Sequence, residues 1–208
     1  LFQTIEESNY ADWDWLMGVN LHGPINGCMT FVPRMIAHGQ GGYVVNTASM
    51  AGWLAAGSPG IYNTTKFAVR GLSESLRYSL AKHGIGVSCV CPGLVKSYIY
   101  ASDDIRPASL MDGAKPVNTE NVERLAGMHQ VGMEPDVIAA RILQGMRENQ
   151  TYIFPMPDHK EELAEEFATV LGFYRDYPQD PGYDERVKIE GFRRQGYKAA
   201  REAANKAV

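Results

Sequence analysis

Two short apolar runs constrain this chain more than anything else in it. "GYVVNTA" at 42–48 and "GIGVSCVC" at 84–91 are rich in β-branched residues and do not alternate with polar ones, and a helical apolar pattern over 58–83 separates them. A strand without alternation is buried on both faces, and two such strands joined by a helix-length connection fit a parallel pair with a right-handed crossover. The connecting segment closes on "AKHG", where basic residues and Gly84 give a helix stop. "TYIFP" at 151–155 reads as a third strand, with helices near 134–149 and 158–173 on either side of it. Layered α/β architecture follows, and 208 residues suffice for one sizeable core.

The remaining segments attach to that frame. "YADWDWLMGVNLHGPINGCMTFVPRMIAHG" places Trp15, Leu16, Val19, Met29, Val32 and Ile36 at helical spacing, with Gly23 and Pro33 as weak points, so a long bent helix ending near Gly39 is expected. The chain opens on Leu1 and enters this helix with no strand before it. Residues 98–118 are too long and irregular for an ordinary connection, and a lid over about 98–135 containing Tyr100, Met111, Met128 and Met133 is the reading. A polar, arginine- and alanine-rich helix over 183–208, within an extension at 174–208, is expected to dock on its own or a neighbouring subunit. The whole is read as one partial domain, 1–208.

Composition narrows the partners. A net charge of −4 with no basic stripe argues against nucleic acid, and no apolar run approaches the 18 residues of a membrane span. Cys28, Cys89 and Cys91 are odd in number and lie in apolar stretches, which reads as reduced thiols in a cytoplasmic setting. The five histidines lack metal-ligand spacing, so no metal is expected. "GQGG" at 39–42 precedes a strand instead of following one, and is a turn. "EELAEEF" at 161–167 reads as a solvated helix face.

Chemistry concentrates in "SMAGWLAAGSPGIYNTTKF", 49–67. Tyr62 and Lys66 are four apart and share one helix face at about 6 Å. An ammonium near a phenol stabilises phenolate and draws its pKa down from about 10, making a usable general acid/base. Ser49 falls at the C-terminal end of a strand, where open α/β sheets bind ligands. Tyr78 and Lys82 repeat the spacing, but sixteen residues further on they lie about 24 Å away along the axis and about 160° around it, so they cannot serve the same site. Tyr78 reads as a packed helix residue.

Asn20 in "MGVNLHG", Ser49 in "VVNTASMAG", the pair in "YNTTK" and the segment "PGLVKS" occur in an order and spacing that resemble the short-chain dehydrogenases/reductases over residues 1 to about 155. The resemblance implies a Rossmann-like doubly wound parallel sheet whose N-terminal nucleotide-binding half is absent from this chain. It also implies that the glycine-rich phosphate loop lies before residue 1, in roughly 80–100 further residues. It assigns Tyr62 as proton donor or acceptor, and Lys66 to tuning the phenol and holding the nicotinamide ribose. Ser49 orients the substrate oxygen and Asn20 anchors a proton relay. Tyr62, Lys66, Pro92, Gly93, Val95 and Ser97 would contact the cofactor, NAD or NADP, with Ser97 standing where the family usually has threonine.

A narrower resemblance, in "GVNLHGPINGCMTFVPRMIAHG", "GMHQVGMEP" and "TYIFPMPDHKEEL", is to Cα-dehydrogenases that oxidise benzylic alcohols of lignin-derived aryl ethers with NAD. The expectation is a homodimer or homotetramer, joined through the helices over 10–38 and 58–83, that exchanges hydride with a small secondary alcohol or ketone. The same residues leave open a catalytically silent chain acting in subunit association, or a family member acting as an epimerase or dehydratase.

Overall fold

The computed structural model describes residues 2–113, 118–178 and 180–206. Strands β1 (Gly42–Thr47), β2 (Ile85–Val90) and β3 (Tyr152–Ile153) form one parallel sheet in that order, with Val45 opposite Ser88 and Val90 opposite Ile153. Every residue of β2 is buried, as its unbroken apolar run requires. Ile85, Val87, Cys89 and Cys91 turn to one face, where α2 (Gly23–His38) and α3 (Gly60–Leu80) supply Cys28, Val32, Val69 and Leu80. Ile153, in register with Val90, turns to the other face and meets α5 (Pro135–Arg147) at Gly145. Helices therefore cover both faces, as in a doubly wound sheet.

The expected long bent helix is α1 (Tyr10–Met17) and α2, joined by a π-helical turn over Gly18–His22. A widened turn inside a helix bends it and often marks a functional position. Gly39 closes α2 at φ 67°, a conformation glycine adopts without penalty. Asn9 caps α1 reciprocally with Asp12. Helix α3 ends in a tighter turn over Ala81–His83 before Gly84.

One element differs from the sequence reading. The segment taken as a lid contains a helix, α4 (Thr119–Gln130), after two short 3₁₀ turns at Ile99–Ile105 and Ala108–Leu110. Leu125 of α4 is buried, with Val122, Ala126 and His129 half-buried at helical spacing beside it. The expected lid also spans residues 114–117, which lie outside the described residues. Helices α6 (Lys160–Gly172) and α7 (Tyr183–Asn205) follow β3. Residues 207 and 208, part of the expected terminal helix, lie outside the described residues as well.

Candidate active site

The site begins where β1 and β2 end together. Past the strand ends the two chains stay joined, with the Ala48 N–H donating to Val90 O at 2.8 Å and the Met50 N–H to Pro92 O at 2.9 Å. Ser49 is extended there, and its Oγ accepts from the Ala51 N–H at 3.1 Å, capping a 3₁₀ turn over Met50–Gly52. That turn rests on the backbone of α3: a Cβ on Gly52 would stand 2.8 Å from the Lys66 carbonyl oxygen. Glycine is therefore required for the strand end carrying Ser49 to approach the helix carrying Tyr62 and Lys66.

Tyr62 and Lys66 occupy the first turns of α3 and are half-buried. The Lys66 Nζ lies 5.4 Å from the Tyr62 ring centroid and donates to the Thr47 carbonyl at 3.0 Å, and the Ser49 hydroxyl, which donates to Pro92 O at 3.4 Å, stands near enough to the Tyr62 phenol to favour its ionised form. Three residues separated by up to 17 positions are thus one cluster at the C-terminal edge of the sheet. The expected fall in the phenol's pKa is not what the chain alone produces. Burial raises the Tyr62 phenol above its ordinary value, and only the neighbouring Ser49 hydroxyl works the other way. The reason is geometric, since the ammonium sits over the ring and on Thr47 and is itself pushed below its usual pKa by burial.

Asn20 stands in the π-helical turn. Its Nδ2 donates to Thr65 Oγ1 at 3.3 Å, and Thr65 in turn donates to the Tyr62 backbone carbonyl at 2.8 Å. It is joined to the Tyr62 turn through Thr65, not to the phenol. Of the cofactor candidates, Pro92 meets Ser49 and Met50 through its carbonyl. Gly93 lies under the His159 imidazole, where a Cβ would come within 2.6 Å of Cε1. Val95 forms a parallel bridge with Met133 and accepts from His129 Nδ1 at 2.7 Å. Ser97 is exposed beyond that bridge.

Tyr62 and Asn20 line one cavity of about 350 Å³, walled by Trp15, Leu16, Ile99, Ile105 and Leu110 among others. Ile99, Ile105 and Leu110 come from the segment read as a lid. Met111 and Met128, which the sequence reading placed over the site, are exposed instead. A buried ion pair anchors residues 105–110: Arg106 Nη1 lies 2.6 Å from Asp12 Oδ1, and Arg106 Nε donates to Leu110 O at 2.7 Å. Burial alone would raise the Asp12 carboxyl. The Asn9 amide, Arg106 and Gln3 together carry it below its usual value.

Two further residues escape sequence reasoning. His159 precedes α6, packs on Gly93, and keeps a buried Nδ1 without a hydrogen-bond partner. Arg106 reaches across 94 positions to Asp12. No local pattern announces either. Among the described residues no group of three histidines, cysteines or acids could hold a metal, and no helix is long and apolar enough to cross a membrane.

Comparison with known proteins follows the same outline. The family model for short chain dehydrogenase matches residues 2–106. A C alpha-dehydrogenase of Sphingobium sp. strain SYK-6 is 39% identical over 188 residues, covering 90% of this chain and 62% of that protein. A structure from Novosphingobium aromaticivorans described as a short-chain dehydrogenase is 55% identical, with a TM-score of 0.82, covering 98% of this chain and 65% of that one. A short-chain dehydrogenase/reductase from Burkholderia phymatum in complex with NAD is 29% identical, with a TM-score of 0.76 over 86% of this chain and 66% of its own. The chain thus spans just under two thirds of the length of these relatives. With its parallel sheet and the Ser49, Tyr62 and Lys66 cluster, this chain belongs to the short-chain dehydrogenase family.

Proposed function

We propose that the protein is an NAD- or NADP-dependent oxidoreductase that moves a hydride between a secondary alcohol, benzylic or otherwise aryl-substituted, and a nicotinamide. The observation that carries this reading is the meeting of the Ser49 and Tyr62 hydroxyls with the Lys66 amine at the end of β1. Tyr62 also faces an apolar cavity of a size suited to one aromatic substrate. The NAD complex of the Burkholderia relative and the likeness to a C alpha-dehydrogenase support the cofactor and the substrate class.

The residues present fit a nicotinamide ribose. Lys66 has three donors and gives one to Thr47, which leaves N–H groups for ribose hydroxyls. Pro92, Gly93 and Val95 would hold the carboxamide end, with the exposed Ser97 hydroxyl beyond them as a further partner. A bound nicotinamide supplies the hydride acceptor in oxidation and the donor in reduction. Tyr62 takes the hydroxyl proton as the carbinol carbon gives up its hydride, and returns it to the carbonyl oxygen in the reverse direction. Ser49 hydrogen-bonds that same oxygen, so negative charge developing there is met by two donors. Thr65 and Asn20 hold the turn of α3 that presents Tyr62.

The test uses protein expressed from its complete reading frame and a secondary benzylic alcohol deuterated at the carbinol carbon. Deuterium is expected in the reduced nicotinamide. Turnover with no reduced nicotinamide would point to an epimerase or dehydratase and overturn the reading.

A further inference from the structure

A second cavity, of about 510 Å³, lies between α5, the end of β3 and the start of α6. It shares no lining residue with the cavity at Tyr62. Its apolar lining comes from Ile153, Phe154, Met156 and Leu163, of which Ile153 and Met156 are buried. Gly145 of α5 lines it too, and a Cβ there would stand 2.7 Å from Ile153 Cγ1, so glycine lets the helix come down onto the strand. A cavity of this size suits one small molecule.

The polar lining has one sign. Arg141, Lys160, His159 and Gln150 contribute to it, and among the described residues no aspartate or glutamate does. Arg141 is held through Nη1, which donates to the Pro155 carbonyl and lies 3.6 Å from Met133 Sδ. Its Nε and Nη2 form the edge that grips a carboxylate with two parallel hydrogen bonds, and they have no partner among the described residues. Neither Arg141 nor Lys160 is ion-paired among those residues, although the chain carries a net charge of −4. The cavity at Tyr62 has the opposite character, since Asp14 lines it and no lysine, arginine or histidine does. We propose that the second cavity binds a carboxylate borne on an apolar body, with the carboxylate on Arg141 and Lys160 and the apolar part over Ile153, Phe154 and Met156. The inference does not depend on the oxidoreductase reading.

Equilibrium dialysis with radiolabelled decanoate, on protein expressed from the complete reading frame, tests the proposal. Decanoate is expected to bind at least about tenfold more tightly than decanol, which has the same chain without the charge. No decanoate binding, or equal affinity for the two probes, would overturn the proposal. Variants locate the site. Arg141→Gln with Lys160→Gln is expected to weaken decanoate about tenfold and leave decanol unchanged, with helix content preserved by circular dichroism. Phe154→Ser is expected to weaken both probes. Lys160→Gln alone alters an exposed side chain, so it keeps the test usable if the double variant misfolds, and a smaller fall in decanoate affinity is expected from it. Decanoate affinity unmoved by these charge substitutions would place the acid elsewhere on the molecule and contradict the assignment.

Discussion

At the residue scale the site depends on how closely two backbones approach. Gly52→Ala places a methyl 2.8 Å from the Lys66 carbonyl oxygen, and backbone is there to meet it, so the Ser49 turn must lift off α3. Activity is expected to fall at least ~10-fold, with a loss of about 1–3 kcal/mol in stability measured by denaturant titration. Wild-type kinetics in this variant would show that Ser49 is positioned some other way. The phenol gives a pH dependence with a definite sign. Because burial raises the Tyr62 pKa, the proton is held through neutral pH, and the phenolate needed for alcohol oxidation grows as pH rises. Oxidation kcat/KM should therefore climb with pH from neutrality, whereas ketone reduction, which uses the protonated form, should stay level and then decline. An oxidation optimum below neutral pH would contradict this.

Among the elements, the segment expected to act as a lid is fastened by one buried pair. Removing one partner leaves a charge without its counterpart in the interior, so Asp12→Ala should cost about 3–5 kcal/mol, roughly 6–20 °C in Tm. Asp12→Leu combined with Arg106→Met should recover most of that loss and still raise KM for bulky alcohols, since the guanidinium no longer holds residues 105–110 against the cavity. The lowered Asp12 pKa sets the pH window: the pair's contribution is present above the usual carboxylate pKa of 3.8 and is lost as pH falls through the folded value. The strands and long helices were legible because β-branched runs and helical apolar spacing are local signals. Helix α4 was not, since its stripe of Val122, Leu125 and Ala126 lies inside a segment whose irregular first half led the whole to be read as a lid. Of the residues named in the expected lid, Met111 and Met128 are exposed, because composition does not say which way a side chain turns.

For the whole molecule, the order of Asn20, Ser49, Tyr62 and Lys66 revealed the family, and the fold brings Ser49, Tyr62 and Lys66 together at the end of β1. Asn20 reaches them only through Thr65, a contact that spacing alone does not indicate. Tyr78, which shares the tyrosine-to-lysine spacing, packs on Tyr197 at the foot of the C-terminal helix, as its place on α3 predicts. Val19, Met29 and Phe31 on the α1 and α2 side are exposed, and a dimer or tetramer joined there is expected. Light scattering at micromolar concentration should report an oligomer, and Phe31→Asp should shift it toward smaller species. A monomer in the unaltered protein would contradict that expectation.

The central claim is that Tyr62 moves the proton, and two matched substitutions test it most directly. Tyr62→Phe and Tyr78→Phe each delete one phenolic hydroxyl from the same helix, and kcat for a secondary benzylic alcohol is measured in protein from the complete reading frame. The account predicts a loss of ~10²- to 10⁴-fold, about 3–5 kcal/mol of barrier, in Tyr62→Phe with helix content unchanged, and near-native turnover in Tyr78→Phe. Equal turnover in the two variants would contradict it.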